Sequence, residues 1–315
     1  MQAKAVIVRA ATPFVLLAAV ALAGCGLGAG PAPKAVHLSV TRDFGASQLP
    51  HTGALKVSGQ ETAMSLLIRN YSVGTRYGGA FVQSVDTLAG GQEAGKPVDW
   101  FYYVNGLEAS KGAAATNVHP GDHIWWDRHD WSQTDHIPAV VGSFPEPFLN
   151  GIEGKRLPVR IECAAVSGPA CRAVAERMRA LDIPAAIAGV GIGGAPATLR
   201  VLVGPWAKVV GDLDARSIGE GPRASGVYAR FANGGRTLAL LNEDGATTRT
   251  LFAGAGLVAA TKRDEDAPVW VVTGTDEAGV SLAARAFNES ALHDRFAVAL
   301  SATEAIALPL KAGKP

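Results

Sequence analysis

Residues 99–131 read DWFYYVNGLEASKGAAATNVHPGDHIWWDRHDW and hold seven of the chain's 21 aromatic residues. Along a strand, successive side chains point to opposite faces. DWFYYV therefore sends Trp100, Tyr102 and Val104 one way and Phe101 and Tyr103 the other. In HIWWD, Ile124 and Trp126 share a face, and His123, Trp125 and Asp127 share the opposite one. A sheet built from these two strands carries aromatics on both sides, so both sides must be covered. One helix can cover only one of them. The second set has to meet another domain, a protein partner, the cell surface or a small ligand, because exposed aromatic patches mark contacts.

The flanking sequence supplies the first cover. Val36, Leu38 and Val40 alternate with polar neighbours as a half-buried strand. SGQETAMSLLIRNY follows as a helix, with Ser58 as N-cap, Glu61 completing a capping box and Ala63, Leu66 and Leu67 on one face. GGAFVQSVDTLAG reads as a further strand. Asn105-Gly106 closes the aromatic strand, since both residues accept the positive φ of a tight type I′ turn. His119-Pro120-Gly121-Asp122 turns the chain into the last strand. One helix on a small mixed sheet is an α+β, β-grasp-like arrangement.

WFYYVNG, a Gly-Ala step and then V.PGD.I.W resemble the transcobalamin-like C-terminal domain family. Its members are β-grasp modules of extracytoplasmic bacterial proteins and of animal cobalamin carriers. The matching positions are Trp100, Tyr102, Tyr103, Val104, Asn105, Gly106, Gly112, Ala113, Gly121, Asp122, Ile124 and Trp126, within roughly residues 37–131. The resemblance implies a flat, polar-rimmed ligand, with cobalamin as the sharpest candidate and delivery to an importer as a role. Trp100, Tyr102, Tyr103, Trp125 and Trp126 would then make the contacts, with Asn105, Gly106, Gly121 and Asp122 shaping the turns. His119, His123, His129 and His136 lie in the same region beside Asp122, Asp127 and Asp130. Imidazole and carboxylate can ligate a metal, but Pro120-Gly121 denies residues 119 and 123 a helical i,i+4 pairing. A solvated polar surface is the expectation, with no metal site.

Residues 157–306 alternate strands and helices: LPVRIEC, a helix over GPACRAVAERMRALD, then IPAAIAGV, ATLRVLVGPW, a helix over VVGDLDARSI, and GVYARF. This βαββαβ order predicts a ferredoxin-like half. A hairpin over RTLALLNEDGATTRTL, the strand VWVV, the helix DEAGVSLAARAFN and the strand FAVALS complete the unit. Cys163 and Cys171 are spaced for a disulfide in an oxidising compartment. GVGIGG at 189–194 fits G-x-G-x-x-G, but Pro196 and a strand follow where a phosphate-binding helix should start. No nucleophile elbow, zincin motif or P-loop is present, and Asp212 and Asp214 read as ordinary surface carboxylates. The expectation is a non-enzyme with no catalytic residues. LRVLVGPW also resembles a strand of sporulation-related repeats that bind glycan strands.

The N-terminus gives an address. Lys4 and Arg9 precede the apolar run AATPFVLLAAVALA, which is short for a membrane span and right for a secretory signal. LAGC at 22–25 resembles the bacterial lipobox, which implies cleavage after residue 24 and a lipid on Cys25. Without residues 1–24, basic and acidic residues nearly balance and form no basic block, which argues against nucleic acid and polybasic membrane binding. The expected organisation is a signal peptide (1–24), a stalk (25–36), the β-grasp domain (37–132), a linker (133–156), an α/β domain (157–306) and a tail (307–315). The chain reads as a lipid-anchored binding protein on the extracytoplasmic face of the cell membrane. The alternative is a structural envelope lipoprotein that contacts protein or peptidoglycan and takes no small ligand.

Overall fold

The structure, a computed structural model, describes residue 2 and residues 35–57, 59–192 and 195–311. The signal segment, Cys25, most of the stalk, Ser58 and residues 312–315 lie outside the described residues. The described residues from 35 onward form one compact unit of the α+β class, built on two large sheets. Among the described residues no helix is long and apolar enough to cross a membrane.

The first lobe centres on β1 (Val36–Arg42), β2 (Lys96–Val104) and β3 (His123–Asp130). β1 and β3 run parallel in the middle, and β2 pairs antiparallel with β3. The short segments Ser47–Gln48 and Gly91–Glu93 form the two ends of the strand order. Helix α1 (Ala63–Asn70) lies over one face, burying Ala63, Met64, Leu66 and Leu67 against Leu38, Trp100, Ile124 and Trp126. The helix starts later than expected. Thr62, not Ser58, is its cap: Thr62 Oγ1 accepts from Ser65 N at 3.1 Å, and Ser65 Oγ accepts from Thr62 N at 2.8 Å. Glu61 instead turns its carboxylate to Arg69, 3.1 Å away.

The second lobe runs through β4 (Val159–Cys163), α2 (Pro169–Ala180), β5 (Ala185–Gly189), β6 (Leu199–Pro205) and α3 (Leu213–Glu220). It continues through β7 (Gly256–Thr261), β8 (Val269–Gly274), α4 (Glu277–Ala286), β9 (Ala297–Leu300) and β10 (Ala305–Leu308). The sheet order is β5-β4-β6-β8-β7-β9-β10. The first four strands are parallel and the last three antiparallel to their neighbours. This differs from the ferredoxin-like half expected. Ala229–Ala232, read as its closing strand, leaves the sheet and pairs with Thr237–Leu241 in a separate three-stranded sheet. β8 takes the place beside β6. The sheet also continues past residue 306: Ile306 and Leu308 in β10 are buried. Cys163 at the end of β4 and Cys171 in α2 form a disulfide, with Cα atoms 5.9 Å apart.

Residues 133–156 join the lobes without forming a helix or strand, yet their middle is buried. Ile137 and Val140 enter the core shared with the first lobe. Ala139, Val141, Phe144 and Phe148 enter the core beneath α2 and α4. Backbone bonds hold both sides: Val140 N donates to Gly106 O at 2.8 Å, and Val141 N to Phe296 O at 3.2 Å. A packed segment of this kind fixes one lobe against the other.

Candidate functional site

The aromatic strands pair in register, Trp126 opposite Tyr102 and Trp125 opposite Tyr103. Their two faces have different covers. Trp100 and Trp126 belong to the core beneath α1, with Tyr102 stacked on Trp126 at 4.6 Å. Tyr103 and Trp125 join a core made largely of second-lobe residues. Phe296, just before β9, meets Trp125 at 5.1 Å and Tyr103 at 5.6 Å between ring centroids. His129 is stacked between Phe101 and Phe44 at 4.5 and 4.6 Å. Trp125 and Tyr103 are fully buried, Trp126 and Trp100 nearly so. Burial pushes the Tyr103 phenol well above its ordinary range. Of the five candidate contact residues only Tyr102 reaches the surface, where its hydroxyl bonds Lys111 O and Thr116 Oγ1.

The turn residues converge into one buried knot. Asn105 and Gly106 adopt φ of 54° and 79°. Asn105 Nδ2 donates to Asp122 Oδ1 and to Gly151 O, both at 2.8 Å, and Asn105 Oδ1 accepts from His123 N at 2.8 Å. Asp122 Oδ2 accepts from His119 N at 2.7 Å. A Cβ on Gly106 would lie 2.8 Å from Val140 O, so the turn fits the connecting segment only as glycine. These motif residues build the first lobe and seat it on the connection.

The four histidines do not converge. His119 faces Asp122, His123 bonds Ser39, His129 bonds Asp127 and His136 bonds Glu108. Two of them, His123 and His129, are buried rather than solvated, because they line the covered face of β3. Asp127, wholly buried, accepts from Thr41 Oγ1, Phe44 N, Gly45 N and His129 Nδ1, which fixes the turn that pushes Phe44 into the second lobe. Among the described residues no group of three or more His, Cys, Asp or Glu is placed to hold a metal.

Two surface clefts adjoin these elements. The first, about 430 Å³, opens between the lobes. The β2 hairpin contributes Leu107, Lys111 and Thr116, the connection Ile152 and Lys155, and the second lobe Ala197, Lys262 and Glu265. Its volume is that of a site for a small organic molecule, and contact between two lobes is a common place for one. The second cleft, about 570 Å³, lies within the second lobe beside the start of α3. Its floor is a charge network. Glu162, fully buried on β4, accepts from Arg160 and from Nε and Nη2 of Arg200. Burial raises the Glu162 carboxyl, but the Arg200 and Arg160 bonds outweigh it and hold the group below the usual range. Arg200 also bonds Asp212, the N-cap of α3, and reaches Asp214. Asp214 is thus a buried and Asp212 a half-buried network member, not the surface carboxylates expected, since α3 packs their end of the chain onto the sheet. DLD, an acid at the N-cap and another two residues on, was the only sequence signal for them. Neither cleft is lined by an aromatic residue, and the motif residues at their edges, Val104 of one and Val190 and Gly191 of the other, carry no sequence sign of a cleft.

GVGIGG begins at the end of β5 and is followed by strand β6, so the dinucleotide fingerprint has no helix to serve. No curated protein and no solved structure was found to match the chain. Residues 60–130, which span α1 and the aromatic strand pair, match the model of a family described as a domain of unknown function, DUF4430.

Proposed function

We propose that the chain is a lipid-anchored extracytoplasmic binding protein whose ligand site is the cleft between the lobes, and not the aromatic strand pair. The observation that carries this is the 430 Å³ cleft, lined from the β2 hairpin, the connection and the second lobe together. Burial of Trp100, Tyr103, Trp125 and Trp126 removes them from contact with any ligand. Tyr102 stays beside the cleft through Lys111 and Thr116. The resemblance to transcobalamin-like domains keeps a corrinoid as the ligand to try first, with only an edge of it entering the cleft, since the whole molecule exceeds that volume. The lipobox puts the tether at Cys25, at the outer face of the membrane, where an importer could receive what the head binds.

The test is titration of residues 34–315 with cobalamin, followed by Trp fluorescence and calorimetry. Ala197 is exposed at the mouth of the cleft, so Ala197→Trp fills it without touching a core. Saturable binding lost in Ala197→Trp is the expected result. Binding that survives the substitution places the ligand elsewhere. Neither heat nor quenching favours a second reading, an interaction protein of the envelope. The observation behind that reading is the aromatic face itself, which is already covered from within the chain by Phe44 and Phe296.

A further inference from the structure

One carboxylate at the cleft beside α3 is only partly satisfied. Asp214 is 7% exposed, and its Oδ1 accepts no hydrogen bond. Arg263 Nε lies 3.7 Å from that oxygen, on a side chain that is half exposed. A buried carboxylate oxygen without a donor costs free energy, about 1–3 kcal/mol for a polar group and more for a charged one. Burial and then the charge of Asp212 push the Asp214 carboxyl up, as expected of a group short of positive partners. Arg200 cannot supply more: its guanidinium is already committed to Glu162, Asp212 and Asp214. Across the same cleft, Lys208 makes no ion pair or side-chain hydrogen bond among the described residues.

The lining therefore holds both signs, a buried carboxylate oxygen without a donor and an exposed lysine with no ion-pair partner among the described residues. A simple anion would satisfy Lys208 and repel Asp214, and a simple cation would do the reverse. A molecule carrying one ammonium and one carboxylate satisfies both. At about 570 Å³ the cleft has room for more than one amino-acid residue. We propose that this cleft binds short zwitterionic peptides, with the free ammonium on Asp214 Oδ1 and the carboxylate on Lys208 and Arg263. Arg263, long and half exposed, swings off Asp214 to take the carboxylate as the ammonium arrives. This site is separate from the cleft between the lobes, although Pro196, Asp266 and Ala267 border both.

The probe is alanylalanine, added to residues 34–315 and followed by calorimetry and by ¹³C shifts of the aspartate carboxyls. Saturable binding is expected, weakened at least tenfold when the amino end is acetylated or the carboxyl end amidated. Asp214→Asn and Lys208→Ala each weaken it by a similar factor. The Asp214 carboxyl titrates about one unit lower with the peptide bound, because an opposite charge favours its ionised form. Lys208→Ala, on a surface side chain, keeps the test open should Asp214→Asn fail to fold. No binding of alanylalanine, equal affinity for the acetylated peptide, or an unmoved Asp214 titration overturns the proposal. Lys208 lines this cleft alone, so Lys208→Ala should leave cobalamin binding at the other cleft in place, and the two sites fail independently.

Discussion

His123 is hydrogen-bonded through Nε2 to Ser39 and lies 7% exposed on the covered face of β3. Burial, then the charges of His37 and His293, push its pKa down to about 3. The unfolded chain binds a proton at this residue from about pH 6.5 downward, and the folded chain does not until about pH 3. Stability is therefore highest above pH 6.5 and falls as pH is lowered toward 3. His123→Gln is expected to flatten that slope in urea unfolding measured at pH 7 and pH 4.5. The exposed His136 behaves oppositely, since its bond to Glu108 raises its pKa. Its imidazole should titrate above 6.5 by NMR and return to the ordinary value in Glu108→Gln. Asp127 is the residue whose loss costs most at this scale. Asp127→Ala leaves Phe44 N, Gly45 N and His129 without their acceptor, and about 3 kcal/mol of stability should disappear from the urea curve. A loss below about 1 kcal/mol would mean that water replaces the carboxylate there.

At the scale of elements, alternation and capping carry most of the information. The aromatic faces of β2 and β3 were readable residue by residue, because a period of two assigns Trp100 and Tyr103 to opposite sides wherever the strand lies. Asn105-Gly106 fixed the hairpin for the same local reason. The disulfide was legible from spacing and compartment. Strand direction was not: nothing in LRVLVGP distinguishes a parallel neighbour from an antiparallel one, so the partner of β6 was unreadable. The burial of residues 137–148 was hidden too, since SFPEPF has apolar residues without a period. The clefts were invisible because Lys208, Asp214 and Lys111 acquire meaning only from elements far apart in the chain. Two substitutions check the elements themselves. Thr62→Ala removes the α1 cap and should cost about 1 kcal/mol. In Gly142→Ala the new Cβ would fall 2.6 Å from both Trp125 and the Arg295 backbone, and should cost about 1–3 kcal/mol through overpacking. Thermal unfolding measures both.

Across the whole molecule the lobes share one core, in which Phe44, Tyr103 and Trp125 pack with Tyr228 and Phe296. Unfolding should be a single transition by tryptophan fluorescence and by calorimetry. Phe296→Ala empties the centre of that contact and should cost about 3–5 kcal/mol. If the lobes are otherwise self-sufficient, the variant melts in two steps. The shared core also has a consequence in time. Trp125 leaves the ribosome about 170 residues before Phe296. At about 5–20 residues per second, the unfinished chain carries a bare aromatic face for roughly 10–30 s. Until Phe296 arrives, Trp125 and Tyr103 lack the ring that covers both of them from that side.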